Sequence, residues 1–207
     1  FISVHGDVEL PLTTMASPPN VWNAIAPPIS PDNTSMSATF DTEDGGFLSE
    51  WFAWRWSADL QQWEAAQTLA DSTPVTDDEF ELGKGWFVAA LGDGGIEPRM
   101  IPGQSVDPRT PFAMPIRPGW NLLANPYGFP VEWRDGVVQA SIDNVVDGVS
   151  AQSPLVDNRL IQLDVSTQSY VTHFANASAP YSIPPGQAWW FLSNATGDLI
   201  IDPLASW

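Results

Sequence analysis

The chain has 207 residues, with 25 acids against 7 bases and a net charge of −18. That length holds one large or two small domains, the 43% hydrophobic content excludes wholesale disorder, and the charge repels phosphate backbones, which argues against a nucleic-acid partner. Having no cysteine removes disulfides, thiolate catalysis and cysteine-based zinc sites together, and no apolar run reaches the roughly 18 residues of a membrane span.

Residues 1–12 alternate. Ile2, Val4, Gly6, Val8, Leu10 and Leu12 share one face, and Ser3, His5, Asp7 and Glu9 share the other, which is the period of a strand with one buried side. Two fates are open to this strand. It pairs within its own half of the chain, or it adds itself to the sheet of a second copy, with Ile2, Val4, Gly6, Val8 and Leu10 forming the subunit contact. The start at Phe1, without Met, fits a processed, secreted chain or a trimmed one. Three glycosylation sequons, at Asn33, Asn176 and Asn194, add weak support for secretion.

Residues 13–33 carry Pro18, Pro19, Pro27, Pro28 and Pro31, which excludes helix and leaves a short strand at Trp22-Asn23-Ala24-Ile25. Residues 41–46 form an acidic turn without the ligand spacing of an EF-hand. Phe52, Trp54 and Trp56 fall on one face of a strand; residues 57–61 turn and residues 62–66 return, a hairpin. Leu82-Gly83-Lys84-Gly85-Trp86-Phe87 leads from a glycine turn into a strand of buried type. Residues 102–111, with Pro102, Gly103, Pro108 and Pro111, read as a linker. In residues 141–149 the spacing of Ile142, Val145, Val146 and Val149 predicts one or two turns of helix.

The second half repeats the first. Trp120-Asn121-Leu122-Leu123-Ala124-Asn125-Pro126-Tyr127 restates Trp22-Asn23-Ala24-Ile25-Ala26-Pro27-Pro28, with Trp, Asn, Ala and Pro at one constant spacing. A hairpin over residues 159–173 answers the one over 52–66, with Tyr170 in the place of Trp63. Gly186-Gln187-Ala188-Trp189-Trp190 answers Gly83-Lys84-Gly85-Trp86-Phe87. The prediction is an all-β chain of two tandem antiparallel β-sandwich or barrel-like modules, 1–104 and 105–207, related by internal duplication.

The opening at Gly119 to Tyr127 and the closing strands at Gly83 to Phe87 and Gly186 to Trp190 resemble a repeat of large secreted bacterial surface proteins. That resemblance implies all-β modules at a cell surface, beside adhesins and polysaccharide-active enzymes. No sorting domain or enzyme domain is recognisable in this chain.

No catalytic constellation emerges. Asp77 with Asp78, and Glu79 with Glu81, are acid pairs, but acid–base work needs carboxylates opposed across a cleft. His5 and His173 are far apart in strands. The expectation is therefore a secreted, extracellular, non-enzymatic surface protein. It is either a structural subunit of a filament, sheath or surface layer, or an adhesin domain; the alternative is a carbohydrate-binding module using exposed tryptophans. The eleven tryptophans are the chemical resource, and Trp51, Trp54, Trp56 and Trp133 are the candidates for a binding platform. Partners are other copies of the chain or a surface polysaccharide. No cofactor is required, and a Ca²⁺-binding carboxylate surface is the alternative to simple solubility as an account of the charge.

Overall fold

The computed structural model describes residues 5–9, 21–40, 51–66, 79–91, 100–143, 145–150, 153–175 and 178–205. The first half runs β1 (His5–Glu9), β2 (Trp22–Ile25), β3 (Ser30–Pro31), α1 (Met36–Phe40), β4 (Trp51–Ser57), β5 (Gln62–Ala65), β6 (Trp86–Ala90) and β7 (Met100–Gln104). The second half adds β8 (Phe112–Ile116), β9 (Gly119–Ala124), β10 (Val131–Trp133), β11 (Val138–Ile142), β12 (Val145–Gly148), β13 (Val156–Asp164), β14 (Ser169–Phe174), β15 (Tyr181–Ile183), β16 (Ala188–Ser193) and β17 (Gly197–Ile201). The described residues are all-β with one short helix, and every strand pairing between these elements is antiparallel.

The second half is a sandwich. One sheet has the order β12-β11-β17-β8 and the other β14-β13-β16-β9. Alternate residues of each turn inward: Met114, Ile116, Val138, Ala140, Leu199 and Ile201 from the first, and Leu123, Leu160, Trp189 and Phe191 from the second, in one buried cluster. A ribbon of β10 and β15 adds Val131, Trp133 and Ile183.

The first half has one such sheet, β2-β6-β4-β5, and its core is covered differently. Ile25, Trp51, Ala53, Trp86 and Val88 pack against Met36 and Phe40 of α1 and against Phe80. Ser35 caps this helix, its hydroxyl accepting the Ala38 N–H at 3.3 Å. The helix is only five residues long, too short for periodicity to reveal.

Two expectations are corrected here, the helix at 141–149 and the reading of Pro102 and Gly103 as linker. Residues 141–149 are not helical. They form the β11–β12 hairpin, with Ile142 opposite Val145, Ala140 opposite Asp147, and Asp143 at φ 50° in the turn. β-Branched valines suit this pleated ladder better than a helix. Within the chain, β1 pairs with β7 in a sheet of order β1-β7-β3, placing Gly6 opposite Gly103 and Val8 opposite Ile101. Ile2, Val4 and Leu10 lie outside the described residues. Pro102 and Gly103, read as linker, belong to β7, and the chain passes between the halves after Gln104.

The main sheets of the two halves share more than strand order. Trp22 faces Ala89 as Trp120 faces Leu192, and Ile25 faces Trp86 as Leu123 faces Trp189. Ala53 faces Val88 as Leu160 faces Phe191. Trp56 faces Trp63 as Leu163 faces Tyr170.

Candidate functional site

The phrase from Trp120 to Tyr127 is a row of anchors. The buried Asn121 side chain accepts the Arg117 N–H at 2.8 Å and donates to the Arg117 and Gly119 carbonyls. Asn125, also buried, accepts the Tyr127 N–H and donates to the Phe129 and Ile183 carbonyls. The Tyr127 hydroxyl lies 2.9 Å from the Thr110 carbonyl and 3.1 Å from that of Ile201, and burial pushes its pKa well above the usual tyrosine value. These bonds satisfy polar groups that burial would otherwise penalise. With its backbone fixed this way, β9 holds Leu123 in the core and turns Trp120 and Leu122 to the opposite face.

That opposite face meets the other half, and the contacts are reciprocal. The Ala124 N–H donates to the Gly83 carbonyl at 3.1 Å, and the Ala26 N–H donates to the Gly186 carbonyl at 3.0 Å. Both glycines have positive φ, 76° and 73°, a conformation that suits glycine. Leu123 bridges Lys84, and Ile25 bridges Gln187. At the tip of one hairpin the Gln61 amide accepts the Trp120 N–H at 2.8 Å and donates to the Trp120 carbonyl at 3.0 Å. At the tip of the other, Gln168 does the same to Trp22, at 2.9 and 3.1 Å. Such exchange is the signature of an approximate twofold axis between the sheets. Beside that axis Ala24, Ala26, Phe87, Leu122, Ala124, Leu163 and Ala188 form a third buried cluster.

Outside this seam the two faces diverge and leave a cleft. A hollow of about 490 Å³ is lined by Trp22, Trp54, Trp63, Phe87, Leu163, Gln168 and Tyr170. A second, of about 370 Å³, is lined by Trp56, Trp63, Trp120, Ile161, Tyr170 and Trp190. They share Trp63 and Tyr170. They also correspond: Trp22 to Trp120, Trp54 to Ile161, Phe87 to Trp190, and Leu163 to Trp56 hold matching ladder positions. The rings are locked edge to face, with Trp63 centred 5.5 Å from both Trp56 and Trp190 and 5.3 Å from Phe87. The Trp56 indole N–H donates to the Trp120 carbonyl at 2.7 Å. Trp63, Trp120 and Tyr170 remain 41%, 37% and 56% exposed, an arrangement that offers flat apolar faces in a rigid frame.

Of the four tryptophans expected to form a platform, Trp54 and Trp56 line the two hollows. Trp51 and Trp133 do not: both are fully buried, Trp51 against Phe40 and Trp133 against Trp189 and Phe191, so neither offers a face to a ligand. Sequence reasoning left out Trp22, Trp63, Trp120, Tyr170 and Trp190 as binding residues, although the match of Trp63 to Tyr170 marked the spot. Gly6 and Val8 sit in β1, paired with β7.

The carboxylates lie elsewhere. Glu79 pairs with Arg55 and Lys84, Glu81 with Lys84 at 3.0 Å, Glu64 with Arg55 at 2.5 Å, and Asp59 with Arg117 at 2.5 Å. All of these but Glu64 line a separate polar hollow. In the corresponding place of the other half stand Gln162, Gln187, Tyr181 and His173. Asp77, Asp78 and the acidic turn at 41–46 lie outside the described residues. Among the described residues no group of three or more His, Cys, Asp or Glu is placed to hold a metal ion. Among the described residues no helix is long and apolar enough to cross a membrane. None of the family models, curated proteins or solved structures compared with the chain matches it.

Proposed function

We propose that the chain is a non-enzymatic, surface-associated binding protein whose aromatic cleft takes a neutral polysaccharide. The observation that carries this reading is the pair of corresponding hollows joined at Trp63 and Tyr170. Aromatic faces stack on sugar rings at low entropic cost because the side chains are already fixed. Two similar hollows in line suit a polymer of repeated units better than a single small molecule. The net charge of −18 favours a neutral glycan over a uronic or sulfated one. Among the described residues no carboxylate lines the hollows, whereas glycosidic cleavage needs a pair flanking the bond. The shared order and register of the main sheets support, in our reading, one module written twice. The resemblance to bacterial surface repeats supports a place outside the cell.

The test is binding to cellulose, chitin, xylan and β-glucan, with alginate as the acidic control. Neutral polymers should retain the protein and alginate should not. Trp63→Ala should weaken retention about ten- to a hundredfold by removing one stacked face, with the fold intact by circular dichroism. Failure across the neutral panel, or full binding by Trp63→Ala, would sink the proposal. So would a proline-rich peptide that occupies the cleft when no glycan does, since aromatic grooves also take that class of ligand.

A further inference from the structure

The main sheets correspond strand for strand, yet their outer edges differ. In the first half the edge strand β5 has four residues, and its Glu64 is tied to Arg55. In the second half the edge strand β14 has six residues, Ser-Tyr-Val-Thr-His-Phe, without a single Asp, Glu, Lys or Arg. Tyr170, Val171 and Phe174 on it are 56%, 40% and 57% exposed. A sheet edge carries unpaired N–H and C=O groups, and proteins that avoid pairing blunt it with lysine, proline or a short strand. β14 has none of these devices.

We propose that β14 is an interaction surface for a second copy of this chain, pairing edge to edge and antiparallel about a twofold axis. The charge distribution selects that partner. Two copies, each at −18, repel everywhere except where carboxylates are missing. When a strand pairs with its own copy about a twofold axis, a charged residue is brought close to the same charge on the other copy, which destabilises the ladder. β14 is free of that conflict, and β5, with Glu64, is not. The His173 imidazole, the one titratable group on β14 besides Tyr170, is held toward its neutral form by burial. The contact is isologous and closes at two copies, unlike a head-to-tail strand exchange, which propagates. It rests on the edge of β14, whose Tyr170 also lines the cleft, and not on what the cleft binds.

Sedimentation equilibrium of the full chain at about 0.05 and about 0.5 M NaCl tests this. A monomer–dimer equilibrium is expected, about tenfold tighter at the higher salt as repulsion is screened. Val171→Lys with Phe174→Lys should abolish the dimer and leave the melting temperature and polysaccharide retention unchanged. Glu64→Gln, at the other edge, should leave the dimer as it was. Should the lysine variant fail to fold, hydrogen exchange of the wild type decides, because the outward amides of β14 should lose protection on dilution. A monomer at all concentrations and both salts overturns the proposal. So does a dimer that the lysine pair leaves intact, a ladder of larger polymers, or exchange at β14 that is indifferent to dilution.

Discussion

Gln61 and Gln168 carry more of the architecture than their residue type suggests. Each sits at positive φ, 51° and 52°, at a hairpin tip, where a non-glycine residue is uncommon. Each reaches across to satisfy both backbone groups of a tryptophan in the other half. The sequence places Gln at the end of both turns, but neither its backbone angle nor its reach follows from composition or period. The platform tryptophans teach a related lesson. Strand parity alone separates Trp51 from Trp54 and Trp56, yet only the position of α1 and Phe80 decides which side of β4 is core. His173 yields a prediction. Its ring stacks on Tyr181, centroids 3.5 Å apart, and burial lowers its pKa from 6.5. The folded state therefore prefers the neutral ring. The unfolded chain takes up a proton first as pH falls, so this contribution is present above 6.5 and is lost as pH drops through the folded value. Between about pH 7.5 and pH 5.5 the melting temperature should fall, and His173→Gln should flatten that decline. An equal slope in the variant would show that other groups govern this range.

At the scale of elements, the glycine-to-tryptophan strands were the most legible feature. Gly83 and Gly186 sit at matching turns, and β6 and β16 each send one tryptophan, Trp86 or Trp189, into a core. The small residue in the middle of that phrase marks a close approach. Gly85 corresponds to Ala188, and the two meet near the axis. A Cβ added at Gly85 would lie 2.7 Å from Leu122 Cγ and 2.8 Å from Ala188 Cβ. Gly85→Ala should cost about 1–3 kcal/mol in urea denaturation, as overpacking does. Pairing it with Leu122→Ala should recover part of that loss, because the two sites share one space. Strict additivity would mean that the seam is looser than its distances indicate. The β11–β12 hairpin escaped sequence reasoning for a different reason. Four apolar residues at helical spacing also fit a strand, a two-residue connection and a returning strand, and Val145 and Val146, both 57% exposed, belong to no core.

For the molecule as a whole, the seam makes the halves mutually dependent. Each lends the other a glycine carbonyl, a glutamine clamp and part of an apolar cluster. A local loss on one side should therefore be felt on both. Gln61→Ala removes both clamp bonds, leaving the Trp120 N–H to solvent and its carbonyl to the Trp56 indole alone, at a cost of about 1–3 kcal/mol. Calorimetry of that variant should give one transition at lower temperature. A split into two peaks, only one of them shifted, would show that the halves melt independently. Tandem modules joined by a linker were the natural expectation from residues 102–111. What the linear order conceals is that each hairpin tip is anchored in the opposite half, because contacts across an axis leave no periodic trace in a single chain.

The near equivalence of the two hollows also bears on orientation. A half-turn carries one end of the cleft onto the other, so a polymer entering from either end meets almost the same succession of rings. A glycan has a reducing and a non-reducing terminus, and stacking faces alone would accept it both ways round. Only the places where the halves disagree, Trp54 against Ile161, Phe87 against Trp190, Leu163 against Trp56 and Trp63 against Tyr170, hold any information about which way it points. If the cleft takes a polymer, as proposed, its near symmetry leaves the direction of that polymer to those few differing positions.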